Sequence, residues 1–366
     1  MPETRSNLDL AIIGGGPAGA AAAITAVRLG AKVVLLEAGD FPRQKVCGEF
    51  VSAESLDVLR GLVRDSPEAN SVLRDAPTIS QARLFLAGKV VSTPLDPPAL
   101  SVPRYALDIL LWNAAQQAGA QAHSNCEVRG IDGDGPFCLD AAVGRFQAAS
   151  VIVAAGRWSR FRPQIEVPLG RKWIGVKAHF REYEPSTSTD LYFFENGYCG
   201  VQPVAGEIVN ACAMVRSDCA RTLAEAFALH PALARRAKAW QPITEPVTTA
   251  PLIYRVPEPV RGNLVFVGDA AGFIDPFVGD GISIALRTGC IAANELQAVF
   301  KQPSLLPSAV VAYRNQYELQ FAPLLHAATR IRRLLSCAQP LQRVALPLLR
   351  LPGVLPYIIR KTRIAR

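Results

Sequence analysis

The sequence predicts an α/β fold: a parallel sheet assembled from separated stretches of chain, an inserted antiparallel sheet, and a helical C-terminal tail. Three observations predict it. A buried strand at Leu8–Ile13 runs into a glycine-rich turn, a small-residue helix and a second apolar strand. A second strand-into-glycine segment returns far along the chain, at Asn263–Gly272. Between them lie short alternating segments separated by glycine turns, the pattern of antiparallel strands.

The first unit is Leu8 to Ile13, the turn Gly14-Gly15-Gly16-Pro17-Ala18-Gly19, a helix from about Pro17 to Leu29, and a strand from Lys32 to Leu36 that ends on Glu37. Gly14 allows the tight turn, Gly16 lets a pyrophosphate approach the backbone, and Gly19 lets the helix pack close to the strand. The helix N-terminus offers free N–H groups and a positive dipole end. Glu37 stands where a carboxylate accepts hydrogen bonds from ribose hydroxyls. This is a Rossmann-like dinucleotide unit, but the turn alone does not separate FAD from NAD(P).

The later segments do. Strand Asn263–Val267 leads to Gly268-Asp269, and Asp275-Pro276-Phe277-Val278-Gly279-Asp280-Gly281-Ile282 follows. These resemble flavoproteins of the aromatic hydroxylase (p-hydroxybenzoate hydroxylase-like) superfamily. There the carboxylate, here Asp269, meets the ribityl chain. The Pro-x-x-Gly-x-Gly turn, here Pro276, Gly279, Gly281 and Ile282, opens a helix beneath the flavin ring, where a helix N-terminus stabilises the negative charge of reduced flavin. Phe41-Pro42-Arg43-Gln44-Lys45-Val46-Cys47-Gly48-Glu49 resembles the Pro-Arg-x-Lys-x-Cys-Gly-Glu segment of the geranylgeranyl reductase branch. Arg104, ahead of the helix Ile109 to Gly119, matches an arginine that sits near the flavin in the superfamily. The resemblance covers about the first 180 residues and roughly 245 to 300. It implies a Rossmann-like FAD-binding domain, with Arg43, Cys47, Gly48 and Arg104 among the cofactor contacts.

There are departures. At Gly156, hydroxylases usually carry a preceding aspartate that contacts flavin and nicotinamide; here Ala155 takes its place. NAD(P)H is therefore a candidate electron donor, but not in the hydroxylase manner. The paired-tryptophan segment of flavin halogenases is not visible, and halogenation ranks low.

Composition agrees. A chain of 366 residues, 50% hydrophobic and 19% charged, buries a full core and is not disordered. Eight cysteines without a C-x-x-C pair point to reduced thiols. His123, His179, His230 and His326 show no metal-ligand spacing, so no metal site is expected. The polar leader Met1–Asn7 runs directly into the first strand and no apolar run is long enough to span a bilayer, so a cytoplasmic protein is expected.

The organisation follows from the motifs. The FAD-binding domain takes residues 1–75, 100–162 and 250–300. Residues 76–99 and 163–249 form an inserted substrate domain, with strands at Ala82–Val91, Trp173–Phe180, Asp190–Phe194, Gly200–Val204 and Glu207–Val215, and a helix pair in Ser217–Trp240. Residues 301–366 form the helical C-terminal region, with helices at Ser304–Gln320 and Pro323–Cys337. Beyond these, apolar residues interleave with Arg343, Arg350, Arg360, Lys361, Arg363 and Arg366, broken by Pro347, Pro352 and Pro356. The tail reads either as packed on the core with a basic outer face or as a peripheral membrane contact, which the net charge of +8 favours. Without interleaved aromatics it does not read as a nucleic-acid surface. The oligomeric state is not legible.

Candidate chemistry rests on few residues. Cys47 would lie close to the flavin, as a catalytic thiol or as a small buried residue. Glu49 reads as a hydrogen-bond partner of the flavin loop or as a helix-capping acid. Lys177 and His179 alternate on a strand and share a face, either to hold a phenolate or carboxylate or as a solvated face. Tyr198 reads as packing. Three activities fit: oxidation or hydroxylation of a hydrophobic small molecule, ranked slightly ahead; saturation of a prenyl-type carbon–carbon double bond with Cys47 supplying the proton; and electron carriage without a small substrate.

Overall fold

The structure, a computed structural model, describes residues 4–157, 159–162, 172–253, 256–273, 279–321 and 323–324. The first sheet has at its centre strand Thr4–Ile13, parallel to Val33–Leu36 on one side and to Gly144–Val153 on the other. Gln121–His123 extends it beyond Val33–Leu36, and Leu264–Phe266 extends it beyond Gly144–Val153. Leu10, Ala11 and Ile12 are all fully buried, so this strand is covered on both faces, as parallel strands are. Helix Pro17–Arg28 covers it and packs on helices Arg104–Ala118 and Gly281–Glu295. The last contact is close because a Cβ at Gly289 would stand 2.2 Å from the Ala18 carbonyl oxygen.

The second sheet is almost wholly antiparallel. Its order is Gln241–Pro242, Trp173–Arg181, Ile208–Arg216, Gly197–Ala205, Ser188–Phe194, Thr78–Leu86, Lys89–Ser101 and Phe50–Val51, with Val247–Thr249 also paired to Trp173–Arg181. Ser188–Phe194 and Thr78–Leu86 run parallel. One face packs under helices Leu223–Ala228 and Pro231–Ala237; the first opens with a reciprocal Thr222–Glu225 capping box.

Several elements differ from the sequence reading. Ala82–Val91, read as one strand, contains a hairpin turn: Ala87 and Gly88 have φ of 50° and 76° and join Thr78–Leu86 to Lys89–Ser101. The helix read from Ile109 begins at Arg104, directly after Pro103. A hairpin of Val128–Asp132 and Phe137–Ala141 extends the first sheet alongside Gly144–Val153 and was not anticipated. Helix Leu306–Gln320 packs on the first sheet, its buried Tyr313 hydroxyl donating to the Phe266 carbonyl at 2.7 Å. Of the helix expected at Pro323–Cys337 the structure describes only residues 323 and 324, which are helical, and the basic tail beyond lies outside the described residues. Among the described residues, no helix is long and apolar enough to cross a membrane.

Candidate active site

A cavity of about 820 Å³ lies where the two sheets meet. Its walls come from the glycine turn, the end of strand Val33–Leu36, the segment Arg43–Phe50, Ala154–Arg157, Val247–Thr249, Gly268-Asp269 and the start of helix Gly281–Glu295.

The three turn glycines are required for different reasons. Gly14 has φ 106°, and a Cβ there would stand 2.4 Å from the Ala154 carbonyl oxygen. A Cβ at Gly19 would stand 1.8 Å from the Gly14 carbonyl oxygen, so helix and turn touch. Gly16 lines the cavity, and nothing lies within 4 Å of its missing Cβ. The space a side chain would fill therefore belongs to the cavity, beside the N-terminus of helix Pro17–Arg28.

Glu37 is buried. Its carboxylate accepts from the N–H groups of Gly15 (2.7 Å) and Gly39 (2.9 Å) and from both terminal nitrogens of Arg43 (2.6 and 2.9 Å). Burial pushes its pKa up, but Arg43 and the two backbone donors outweigh it and hold it below the ordinary 4.5. The guanidinium of Arg43 also stacks 4.6 Å from the Phe41 ring centre.

At the other end, the Gly268 N–H donates to Thr288 Oγ1 at 2.9 Å, which fixes the turn that carries Asp269. Asp269 Oδ2 is 3.8 Å from Arg157, whose guanidinium lies 4.3 Å over the Phe273 ring. Gly279 (φ 78°) lets the chain pass the Phe50 ring, which would be 2.9 Å from a Cβ. Gly281 and Ile282 then open the helix onto the cavity. Pro276 lies outside the described residues.

Cys47 and Gly48 line the middle of the cavity. The Cys47 carbonyl accepts from Asn210 Nδ2 at 3.0 Å, and its Sγ accepts from the Glu49 N–H at 3.3 Å. Arg104 stands beside that sulfur and is clamped by Asp108 at 2.7 and 2.8 Å. Cys212, facing Lys177 across the strand pair, has its thiol pushed up to about 12, by burial first and by the nearby Cys47 next.

Lys177 and His179 share one face of strand Trp173–Arg181, but that face is turned to Glu49 and neither residue lines the cavity. Lys177 Nζ pairs with Glu49 Oε1, and His179 Nε2 is 2.8 Å from Oε2. All three residues are at most 3% exposed, so the face is not solvated, and the acid it holds is the chain's own. Glu49 Oε1 also accepts the N–H of Arg104, capping the start of helix Arg104–Ala118 at 2.8 Å. Burial opposes ionisation of Glu49, and its basic neighbours outweigh it, so its pKa is lowered. Sequence reasoning missed Gln44, Asn210 and Arg157; no local pattern marks them. Buried Tyr198, with its ring 5.8 Å from that of Phe193, packs.

The open strip beside Gly16, the acid-bearing end at Glu37 and the second helix N-terminus beside Asp269 fit an extended dinucleotide such as FAD. Comparison with known proteins agrees. The FAD binding domain family matches residues 7–312. Menaquinone reductase of Mycolicibacterium smegmatis is 27% identical over 319 residues, 78% of this chain and 75% of that protein. Digeranylgeranylglycerophospholipid reductase 2 of Methanopyrus kandleri is 24% identical over 356 residues, 90% of this chain and 86% of that protein. Conditioned medium factor receptor 1 of Dictyostelium discoideum is 25% identical over 360 residues, 87% and 69% respectively. Among solved structures, the flavin-dependent brominase Bmp2 superposes with a TM-score of 0.79 at 20% identity, covering 98% of this chain and 93% of that one. A geranylgeranyl bacteriochlorophyll reductase-like protein of Thermoplasma acidophilum gives 0.75 at 21% identity, covering 98% and 96%. The chain belongs to the FAD binding domain family and is an FAD-dependent oxidoreductase.

Proposed function

We propose that the protein uses FAD to saturate a prenyl-type carbon–carbon double bond in a hydrophobic substrate. The observation that carries this reading is the Cys47 thiol, which lines the cavity between the glycine turn and helix Gly281–Glu295. When bound and reduced, FAD supplies a hydride. Saturation needs one proton as well, and Cys47 is the group on this wall suited to give it, with Arg104 and the Glu49 N–H oriented to hold the thiolate left behind. Val46, Phe50, Phe273 and Ile282 supply apolar wall and exclude water.

Two relatives, one named as a menaquinone reductase and one as a digeranylgeranylglycerophospholipid reductase, aligned over three-quarters or more of each chain, support a reductive reading. Oxidation of a phenolic compound drew its support from the aromatic hydroxylase resemblance and from Lys177 and His179 as bases lining the pocket. Both bases are engaged by Glu49, which removes the second support. The likeness to a brominase is one of fold. NAD(P)H is carried forward as the candidate reductant.

The test is anaerobic. FAD-loaded enzyme reduced with one equivalent of dithionite is mixed with a geranylgeranyl lipid that carries no quinone ring. The expected result is reoxidation of the flavin without oxygen and a product carrying the added hydrogens by mass spectrometry. Cys47→Ser, nearly equal in size but far less acidic, should slow that reoxidation while leaving flavin reduction intact. Reoxidation only on admitting oxygen, with oxygen incorporated into the product, would overturn the proposal in favour of a monooxygenase.

A further inference from the structure

Cys47 is flanked by a buried ionic cluster that a proton donor does not by itself require. Glu49 has φ 63°, a left-handed conformation that glycine takes freely and other residues rarely adopt. The chain has an acid at this position, and its side chain is fully buried. That carboxylate gathers three donors from two elements: Lys177 and His179 on strand Trp173–Arg181, and the first N–H of helix Arg104–Ala118. Lys177 Nζ also donates to Gln44 Oε1 at 2.9 Å, so one ammonium ties both ends of the segment 44–49. Between those ends, Val46 packs on Gly175, where a Cβ would stand 2.8 Å from Val46 Cγ1, and the Cys47 carbonyl is held by Asn210. The left-handed turn at Glu49 directs its own N–H at the Cys47 sulfur.

We infer that Glu49 is a positioning residue. Its carboxylate collects Lys177, His179 and the start of helix Arg104–Ala118 to fix the Cys47 thiol on the cavity wall, and it acts on the reaction only through Cys47. The second clause rests on the reading of Cys47 as proton donor. The first does not. A merely structural Glu49 would support the fold, and its loss would add to any loss at Cys47. A positioning Glu49 has no effect left once the thiol is gone.

The test is a double-mutant cycle on FAD-loaded enzyme, read as anaerobic reoxidation of reduced flavin by a detergent-dispersed geranylgeranyl lipid that carries no quinone ring. Glu49→Gln should lower kcat by about tenfold or more, the scale of one lost charge-assisted hydrogen bond, with KM little changed. In the Cys47→Ala background the same substitution should cost nothing further; losses that multiply would overturn the inference. Should Glu49→Gln fail to load FAD, Glu49→Gln combined with Lys177→Met removes acid and base together and takes its place in the cycle. A second measurement does not depend on the substrate: the rate of Cys47 alkylation by iodoacetamide, followed by mass spectrometry. It should rise about tenfold in Glu49→Gln as the thiol leaves its fixed position, and an unchanged rate would overturn the positioning role. If Cys47→Ala leaves reoxidation by that lipid unchanged, the proton-donor reading fails instead, and alkylation alone decides whether Glu49 positions the thiol.

Discussion

Replacing Gly16 by valine should weaken FAD binding about 100-fold without disturbing the fold. Gly16 has φ −71° and ψ −175°, a conformation any residue adopts. Nothing lies within 4 Å of its missing Cβ, so a Cβ meets no protein atom there, and the branched side chain extends into cavity. The groups it screens are the backbone N–H donors at the start of helix Pro17–Arg28. Two lost charge-assisted hydrogen bonds are worth about 3 kcal/mol or more, roughly 100-fold in Kd. The consequence appears in melting. At free FAD about 100 times Kd, the wild type gains about 2.7 kcal/mol. At about 2.1 cal/mol/K per residue, 366 residues give an unfolding entropy of about 0.77 kcal/mol/K. FAD should then raise the wild-type Tm by about 3.5 °C and that of Gly16→Val by about 0.5 °C, while the two apoproteins melt together. Gly19→Val is the contrast: a Cβ 1.8 Å from the Gly14 carbonyl oxygen must move backbone, so the apoprotein itself should melt lower. Differential scanning fluorimetry with and without FAD reads all five melting temperatures. A Gly16→Val protein that keeps the full FAD shift, or whose apo Tm falls as Gly19→Val does, would refute the assignment of this turn to the pyrophosphate.

Four further outcomes are expected. Glu37 has its pKa lowered in the fold, so folded protein binds fewer protons than unfolded in the window below 4.5; the stability this contributes is present above that window and lost as pH falls through the lowered value. Glu37→Gln should flatten the acid limb of Tm against pH and leave its slope above pH 4.5 unchanged. Asp269→Ala should weaken FAD by about 1.5–3 kcal/mol, tenfold or more by equilibrium dialysis, if the carboxylate accepts from the ribityl chain; an unchanged Kd removes Asp269 from the cofactor site. Lys177→Met alone leaves a buried carboxylate short of a partner and should cost about 3–5 kcal/mol in urea unfolding, part of which Lys177→Met with Glu49→Gln recovers. Of the two readings of the tail, a membrane contact requires that deleting residues from Gln342 onward abolish salt-sensitive sedimentation with anionic vesicles while FAD content is kept; a truncated chain that unfolds or loses flavin assigns the tail to the core, and full-length protein that never sediments, even at low salt, ends the membrane reading.

The glycine turn was legible because its chemistry is local: strand, turn, helix and acid follow each other between Leu8 and Glu37. The hairpin inside Ala82–Val91 was not, because Ala87-Gly88 lacks the Asn-Gly or Asp-Gly signature of a two-residue turn. The alternation that puts Lys177 and His179 on one face was readable, whereas the identity of their partner was not. Glu49 is 128 residues from one and 130 from the other, and periodicity gives a face but not what covers it. Two bases alternating among apolar residues on a strand, with a Cys-Gly-Glu segment elsewhere, is the signal that would have paired them.

That pairing also explains why an ionic cluster sits in a sheet whose other face is greasy. Along Trp173–Arg181, Ile174, Val176 and Ala178 enter the apolar core with Val209, Ala211 and Ala213, while Gly175, Lys177 and His179 face the flavin-loop segment. A slip of one residue would turn the ammonium and the imidazole into that core and leave Glu49 buried without them. The ion pair therefore penalises the wrong register more than it stabilises the right one, since a buried pair gains little over an apolar substitute. With Lys177 opposite Cys212 and His179 opposite Asn210, the register that satisfies Glu49 is also the one that brings Asn210 to the Cys47 carbonyl. The cavity wall is thus set by strand pairing in the second sheet, and sequence changes far from the glycine turn can alter the position of the Cys47 thiol without touching that turn.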